Sequence, residues 1–153
     1  MRRCPMKRLI FLITAMMLCF SLAGCNDELS KEDVFSLVND NKDTILQDVS
    51  ESDFSDCEKI SKIKEITKHD NYVEFYCGGK GMGGETSYCG FYYFANDDLQ
   101  TVLNELAQLI GGADTDVEVT AEGNGYIWRA AEGDNSLYVE KIDNNLYYYY
   151  QSY

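Results

Sequence analysis

Histidine, cationic residues and long apolar runs are scarce in this sequence. It contains one histidine, His69, and 13 lysines and arginines against 26 aspartates and glutamates. It lacks the patterns that position a catalytic serine, a zinc-bound water or a nucleotide phosphate, namely G-x-S-x-G, H-E-x-x-H and the Walker motif. The sequence therefore gives little support to enzymatic chemistry, and we expect a protein that is not an enzyme.

The shortage of cationic residues excludes two classes of partner. All 26 acidic residues follow residue 24, whereas four of the 13 basic residues precede it, so residues 25–153 carry 9 basic residues and a net charge of −17. Nucleic acids and anionic lipid headgroups bind through clustered lysine and arginine, and we expect neither as a partner. The acidic charge serves solubility, or else it attracts cations such as a basic peptide or a metal ion.

The longest apolar run, residues 9–22, is shorter than the roughly 20 residues that a membrane-spanning helix needs. It follows a basic start at residues 2–8 and ends at the small residues Ala23 and Gly24. Basic start, apolar middle and small-residue end are the three parts of a secretion signal in their usual order. We therefore predict that residues 1–24 are a signal peptide rather than a permanent membrane anchor.

The end of this segment, Leu22-Ala23-Gly24-Cys25, resembles the lipobox of bacterial lipoproteins. The resemblance implies that the Cys25 thiol carries a lipid, that cleavage occurs before Cys25, and that the protein is anchored on the extracytoplasmic face of the cell membrane. Residues 25–29 would be a short tether, and residues 30–153 a single domain. The later segments Phe75-Tyr76-Cys77-Gly78-Gly79 and Gly90-Phe91-Tyr92-Tyr93, with the tyrosine-rich end, resemble small surface lipoproteins of Gram-positive bacteria. That second resemblance implies a location and no named activity.

From residue 30 onwards the periodicity predicts an α+β fold. Apolar residues recur at helical spacing in two segments, and six short segments rich in aromatic and β-branched residues fall into three pairs that read as hairpins. A further strand is predicted after Lys59. We expect an antiparallel sheet of five to six strands built from hairpins, with two amphipathic helices packed on one face. The helical segments are 34–49 and 99–110, and the hairpins pair 72–77 with 88–94, 117–120 with 126–130, and 137–142 with 146–150.

Three cysteines, Cys57, Cys77 and Cys89, belong to the predicted domain. A hairpin register that places Cys77 opposite Cys89 also places Phe75 opposite Phe91, so that one face of the hairpin is apolar. This register favours a disulfide between Cys77 and Cys89, with Cys57 free, in an oxidising compartment. The alternative is three reduced, buried cysteines. The spacing does not fit a zinc site, and we predict no metal and no cofactor.

Two features point to a ligand-binding surface. The glycine-rich stretch Gly78–Gly84 matches G-x-G-x-x-G, but a strand-like segment follows it instead of a helix, so we interpret it as a flexible hairpin loop that could close over a ligand. All 12 tyrosines lie between Tyr72 and Tyr153, and four are consecutive, so alternate rings project from both faces of one strand. The alternative is that both faces are covered. The predicted contact residues are Lys80, Met82, Tyr147, Tyr148, Tyr149 and Tyr150.

Together these features predict a lipid-anchored binding protein that captures a cationic peptide on an acidic, tyrosine-rich face. Two alternatives stay open: an extracytoplasmic enzyme that uses a cysteine with His69, and an accessory subunit of a neighbouring membrane protein.

The lipobox resemblance generates the first testable prediction. Replacing the lipid-bearing thiol in Cys25→Ser should leave the protein unprocessed or release it from the membrane. Two acyl chains give stable anchoring, because each buried CH₂ contributes about 0.8 kcal/mol. Membrane fractionation measures where the protein is found, and intact-mass measurement shows whether it has been cleaved. Finding the Ser variant in the membrane fraction at the cleaved size of the parent would contradict the prediction.

Overall fold

A single seven-stranded antiparallel sheet is the main element of the computed structural model, which describes residues 28–82, 85–98, 101–106, 118–130 and 134–153. The predicted signal peptide and Cys25 lie outside the described residues. The strands lie in the order β1-β2-β3-β7-β6-β5-β4. Their bounds are β1 Glu65–Lys68, β2 Tyr72–Met82, β3 Glu85–Phe94, β4 Glu118–Glu122, β5 Gly125–Arg129, β6 Ser136–Asp143 and β7 Leu146–Ser152; helix α1 is Lys31–Glu51, and a 3-10 turn is Cys57–Lys59.

The α+β class and all three predicted hairpins are confirmed, and the sheet has one strand more than the upper prediction of six. β2 pairs with β3, β4 with β5, and β6 with β7, in each case antiparallel. The strand expected after Lys59 begins only at Glu65, because the chain first makes the 3-10 turn and buries Cys57 and Ile63.

Helix α1 begins at a capping box and covers one face of the sheet, called the front face. The Asp33 amide donates to Ser30 Oγ over 3.1 Å, and the Ser30 amide donates back to Asp33 Oδ2 over 3.3 Å. Ser52 caps the C-terminal end of the helix, and its φ of 55° lies in the left-handed region. Its apolar stripe is buried against the front-face residues of β2, β3 and β7. These front-face residues are Val73, Phe75, Cys77, Cys89, Phe91, Leu146 and Tyr148.

A second helical segment, residues 101–106, packs on the opposite face, called the back face. It follows Asp98, whose carboxylate accepts from the Thr101 amide over 2.9 Å. The prediction that two helices share one face is therefore wrong. Both faces of the central strands carry aromatic side chains, and each face requires its own cover. On the back face Val102, Leu103 and Leu106 join a core with Tyr72, Tyr92, Phe94, Trp128, Leu137, Val139, Tyr147 and Tyr149.

The predicted register of the first hairpin is confirmed for its apolar pairs and wrong at the cysteines. Phe75 lies opposite Phe91, with ring centroids 4.5 Å apart, but a bulge between Tyr76 and Gly78 takes Cys77 out of register, so that Gly78 faces Cys89. Both cysteines are free thiols in the structure. The structure therefore does not contain the predicted disulfide.

The prediction of a flexible loop at Gly78–Gly84 is wrong for residues 78–82, while Gly83 and Gly84 lie outside the described residues. β2 continues through the glycines to Met82, and Gly79, Lys80 and Gly81 pair with Tyr88, Ser87 and Thr86 of β3. Glycine is usually disfavoured in a strand, but here it marks places where other groups approach the backbone closely.

Within the described ranges, no helix combines the length and apolar character that crossing a bilayer requires.

A buried carboxylate anchors the connection between α1 and the sheet. Asp48 is 5% exposed, and its Oδ2 accepts from the backbone amides of Cys57 over 2.8 Å and Asp56 over 3.2 Å. Asp48→Ala leaves both amides without this acceptor, so we expect the free energy of unfolding to fall by about 1–3 kcal/mol. Chemical denaturation measures this free energy of unfolding in each variant. Asp53→Ala, which removes only an exposed bond to Ser55, is the control, and equal losses in both variants would contradict the prediction.

Candidate functional site

Carboxylates and tyrosine rings surround a pit of about 310 Å³ on the back face, beside the edge strand β1. The pit lies on the first hairpin, formed by β2 and β3. Two of its glycines, Gly79 and Gly90, leave the sheet without side chains on that face. We call it the tyrosine pit. Its lining residues are Glu65, Thr67, Glu74, Tyr76, Tyr88, Tyr149 and Gln151.

The two glycines are required by the close approach of neighbouring groups. A Cβ at Gly90 would lie 2.1 Å from the Phe75 carbonyl oxygen and 3.0 Å from Tyr149 Cε1. A Cβ at Gly79 would lie 3.2 Å from both the Tyr76 hydroxyl and Tyr88 Cδ1. The missing side chain at Gly90 therefore lets the Tyr149 ring of β7 lie across β3, where it reaches the residues of β2.

Aromatic rings form the wall of the pit. Tyr76 and Tyr88 meet edge to face, with centroids 5.9 Å apart, and Tyr88 makes a similar contact with Tyr153 at 6.0 Å. Tyr149 stacks on Tyr92 at 4.3 Å. Tyr88 is 38% exposed and Tyr153 48%, which makes them the two most exposed tyrosines that the structure describes. The negative faces of such rings attract cations, by about 0.5–2 kcal/mol per ring according to burial.

Tyr149 brings a buried hydroxyl to the pit. The side chain is 1% exposed, and its hydroxyl has no hydrogen-bond partner among the described residues. Burial raises the pKa of Tyr149 far above its usual range, and the nearby Glu74 carboxylate raises it further, although no well-formed hydrogen bond joins the two groups. The hydroxyl therefore stays protonated, and no described residue uses its hydrogen-bonding capacity. A buried polar group without a partner costs about 1–3 kcal/mol, which a suitable ligand would recover.

Acidic side chains line the pit. Glu65 and Glu74 line it, and its lining contains no lysine or arginine. His69 lies near one of these carboxylates, with its Nε2 3.6 Å from Glu74 Oε2, beyond hydrogen-bond distance. Carboxylates, hydroxyls and ring faces together accept N–H donors and positive charge. The arrangement fits an ammonium or guanidinium group.

Of the predicted contact residues whose side chains the structure describes, one lines the tyrosine pit and the others do not. Tyr147 and Tyr148 are 1% and 4% exposed, so they are core residues, and the alternative that both faces are covered describes this strand. Lys80 and Tyr150 line a separate cleft of about 350 Å³ that also includes Glu28. Met82 ends β2, and its side chain lies outside the described part of the chain. Among the predicted residues with described side chains, Tyr149 alone lines the pit.

The residues that the prediction missed have a visible signal in the sequence. Strand alternation places Tyr72, Glu74 and Tyr76 on one face, and a carboxylate between two tyrosines is unusual on a face that packs into a core. Gly90 within an otherwise aromatic strand is a second signal. Glu65 could not have been assigned, because it depends on where the short strand β1 begins.

The predicted pairing of a cysteine with His69 does not occur in the described residues. His69 stacks on Tyr72 at 4.2 Å and lines a cleft of about 390 Å³ that contains none of the three described cysteines. Burial raises the pKa of Cys57 and of Cys77 to about 12 and also raises that of Cys89, whereas a nucleophilic thiolate needs a lowered pKa. In the described ranges, no three His, Cys, Asp or Glu side chains are grouped closely enough to hold a metal ion.

The burial of the three thiols generates a prediction for cysteine chemistry. We expect Cys57, Cys77 and Cys89 to resist alkylation in the folded full-length protein and to react once it is unfolded without a reductant. Full burial excludes the reagent, and the raised pKa values keep the thiolate fraction low. Peptide mass mapping measures each residue separately. Denatured, unreduced protein in which only Cys57 is alkylated would instead support the Cys77–Cys89 disulfide.

Comparison of this chain with protein-family models, with curated proteins and with solved structures finds no match to any of the three. Its function is therefore inferred from the chemistry of its own residues.

Proposed function

We propose that this protein is a lipid-anchored, extracytoplasmic binding protein that captures a cationic ligand, in the simplest case a lysine or arginine side chain of a peptide. The observation that carries the proposal is the tyrosine pit, where Glu65 and Glu74 meet three tyrosines with no lysine or arginine among the lining residues. Carboxylates supply charge-assisted hydrogen bonds to N–H donors, and the ring faces hold the rest of the cation.

The buried hydroxyl of Tyr149 supports a ligand with several N–H groups. One N–H can donate to the Glu74 carboxylate while another donates to the Tyr149 oxygen, which has no partner among the described residues. A neutral or anionic ligand would leave the carboxylates uncompensated and would be rejected by a like-charge or desolvation cost. The pit therefore discriminates by charge and by the number of donors.

The charge of the whole chain supports the same class of ligand. Residues 25–153 carry a net charge of −17, which raises the local concentration of cations and speeds their encounter with the protein. Such steering weakens as salt rises, because the Debye length falls from about 30 Å at 0.01 M to about 8 Å at 0.15 M. A lipid anchor at Cys25 would hold the binder at the membrane, where even modest affinity retains a ligand.

Removing the charge of Glu74 tests the proposal. In Glu74→Gln we expect the affinity for an arginine-containing peptide at low salt to fall at least about tenfold, because a hydrogen bond to a charged group contributes about 1.5–3 kcal/mol. Glu58→Gln makes the same change in net charge at an exposed residue outside the pit and is the matched control. Calorimetric titration of the purified full-length protein in nonionic detergent, at low and raised salt, gives both affinities.

Tyr149→Phe separates binding from folding in the same assay. The substitution keeps the ring and removes only the hydroxyl, so we expect the stability to be unchanged or raised and the affinity to fall several-fold. Binding of neither the peptide nor ethylguanidinium at low salt, or equal peptide binding by the parent, Glu74→Gln and Glu58→Gln proteins, would overturn the proposed function.

A further inference from the structure

We infer that the ligand is an extended peptide that adds as an antiparallel strand to the open edge of β2 and places a cationic side chain in the tyrosine pit. The inference deepens the proposed function and rests on it.

The open edge exists because β1 is much shorter than its neighbour. β1 has four residues and β2 has 11, and β1 pairs only with the segment from Val73 to Tyr76. The Lys64 amide then donates to the Tyr76 carbonyl over 2.8 Å. Beyond that bond, no described strand pairs with residues 77–82 of β2 on this side. Exposed strand edges carry backbone groups that can pair with another chain.

The hydrogen-bond pattern identifies which residues offer those groups. Thr86 and Tyr153 exchange both backbone bonds, at 3.3 and 2.9 Å, so Thr86 directs its backbone towards β7. Successive residues of a strand alternate in this respect, so Ser87 directs its backbone towards β2 and bonds its partner Lys80. The backbone groups of Gly79 and Gly81 consequently point to the open edge.

The same geometry directs an added side chain into the pit. Residues that lie opposite each other in an antiparallel pair project to the same face, and Gly79 shares the back face with its partner Tyr88. A ligand residue opposite Gly79 would therefore project beside Tyr88 and Tyr76, on the side where Glu65 lies. Because Gly79 has no side chain, nothing from that position blocks the entrance.

Charge complementarity selects a cationic peptide over a second copy of this chain. Two copies that met along this edge would bring two acidic pits and two net charges of −17 together, which is unfavourable. A basic peptide neutralises the same charge. All strand pairs of this sheet are antiparallel, and that direction also gives the more stable pairing per residue.

The experiment uses an eight-residue peptide, capped at both ends, in which arginine alternates with threonine, together with two N-methylated versions. In the proposed pairing the residue opposite Gly79 bonds through its own amide and projects its side chain into the pit, so that residue is an arginine. Methylating the arginine amides should weaken binding to the purified full-length protein about tenfold or more, whereas methylating the threonine amides should leave it nearly unchanged.

Two protein variants test the edge from the other side. Gly81→Pro removes an outward amide without removing a bond to β3, whereas Gly81→Ala keeps the amide, and its Cβ would lie 3.5 Å from Thr86 Cγ2, an ordinary contact. We expect the proline variant to lose affinity and the alanine variant to bind as the parent does. If the proline variant does not fold, the methylated peptides alone decide.

The outcomes separate the two proposals. If the parent peptide binds but both methylated peptides bind equally well, or threonine methylation is the harmful one, strand addition is wrong while cation capture stands. If Gly81→Pro changes the oligomeric state and not the peptide affinity, the edge is a contact between copies, and strand addition is again overturned. If no peptide binds at low salt and ethylguanidinium does not bind either, the proposed function itself fails.

Discussion

The position of β7 in the middle of the sheet is the constraint on which the rest of the structure depends. A central strand with four consecutive tyrosines places rings on both faces, so each face requires a cover and each buried hydroxyl requires a partner. Tyr147 meets the second requirement, because its hydroxyl donates to Asp97 over 2.7 Å. Tyr149, which lines the pit, does not meet it within the described chain.

The short edge strand β1 couples the fold to the proposed function. It contributes Glu65 and Thr67 to the pit, and its early end leaves the glycines of β2 without a neighbouring strand on that side in the described residues. A longer β1 would cover the edge where a peptide could pair. A shorter one would remove an acidic wall of the pit. The charged pit and the open edge are therefore two results of the same strand length.

The sequence predicted the local elements well and their long-range placement less well. The hairpins and α1 follow from period, turn residues and capping, which are properties of neighbouring residues. The face on which residues 101–106 pack, and the burial of Tyr148, depend on which strands become neighbours, and the periodicity of one segment does not contain that information. The bulge at Cys77 shows the same limit, because one extra residue moved a cysteine out of a register that was otherwise correct. The pit was missed for a related reason, since its residues come from four strands.

The central position of β7 also has a consequence for the order in which the chain can fold. β1, β2 and β3 form one half of the sheet and β4, β5 and β6 the other, and among the described strands the backbone pairing joins the two halves only through β7, the last of them along the sequence. Neither half can complete its core until that strand is available, and the pairing of β3 with β7 closes a loop of more than fifty residues. Such non-local pairing is slow, and it keeps strand edges exposed meanwhile. Loss of a few residues from the end of this chain would therefore remove the joint between the halves rather than trim one edge of the sheet.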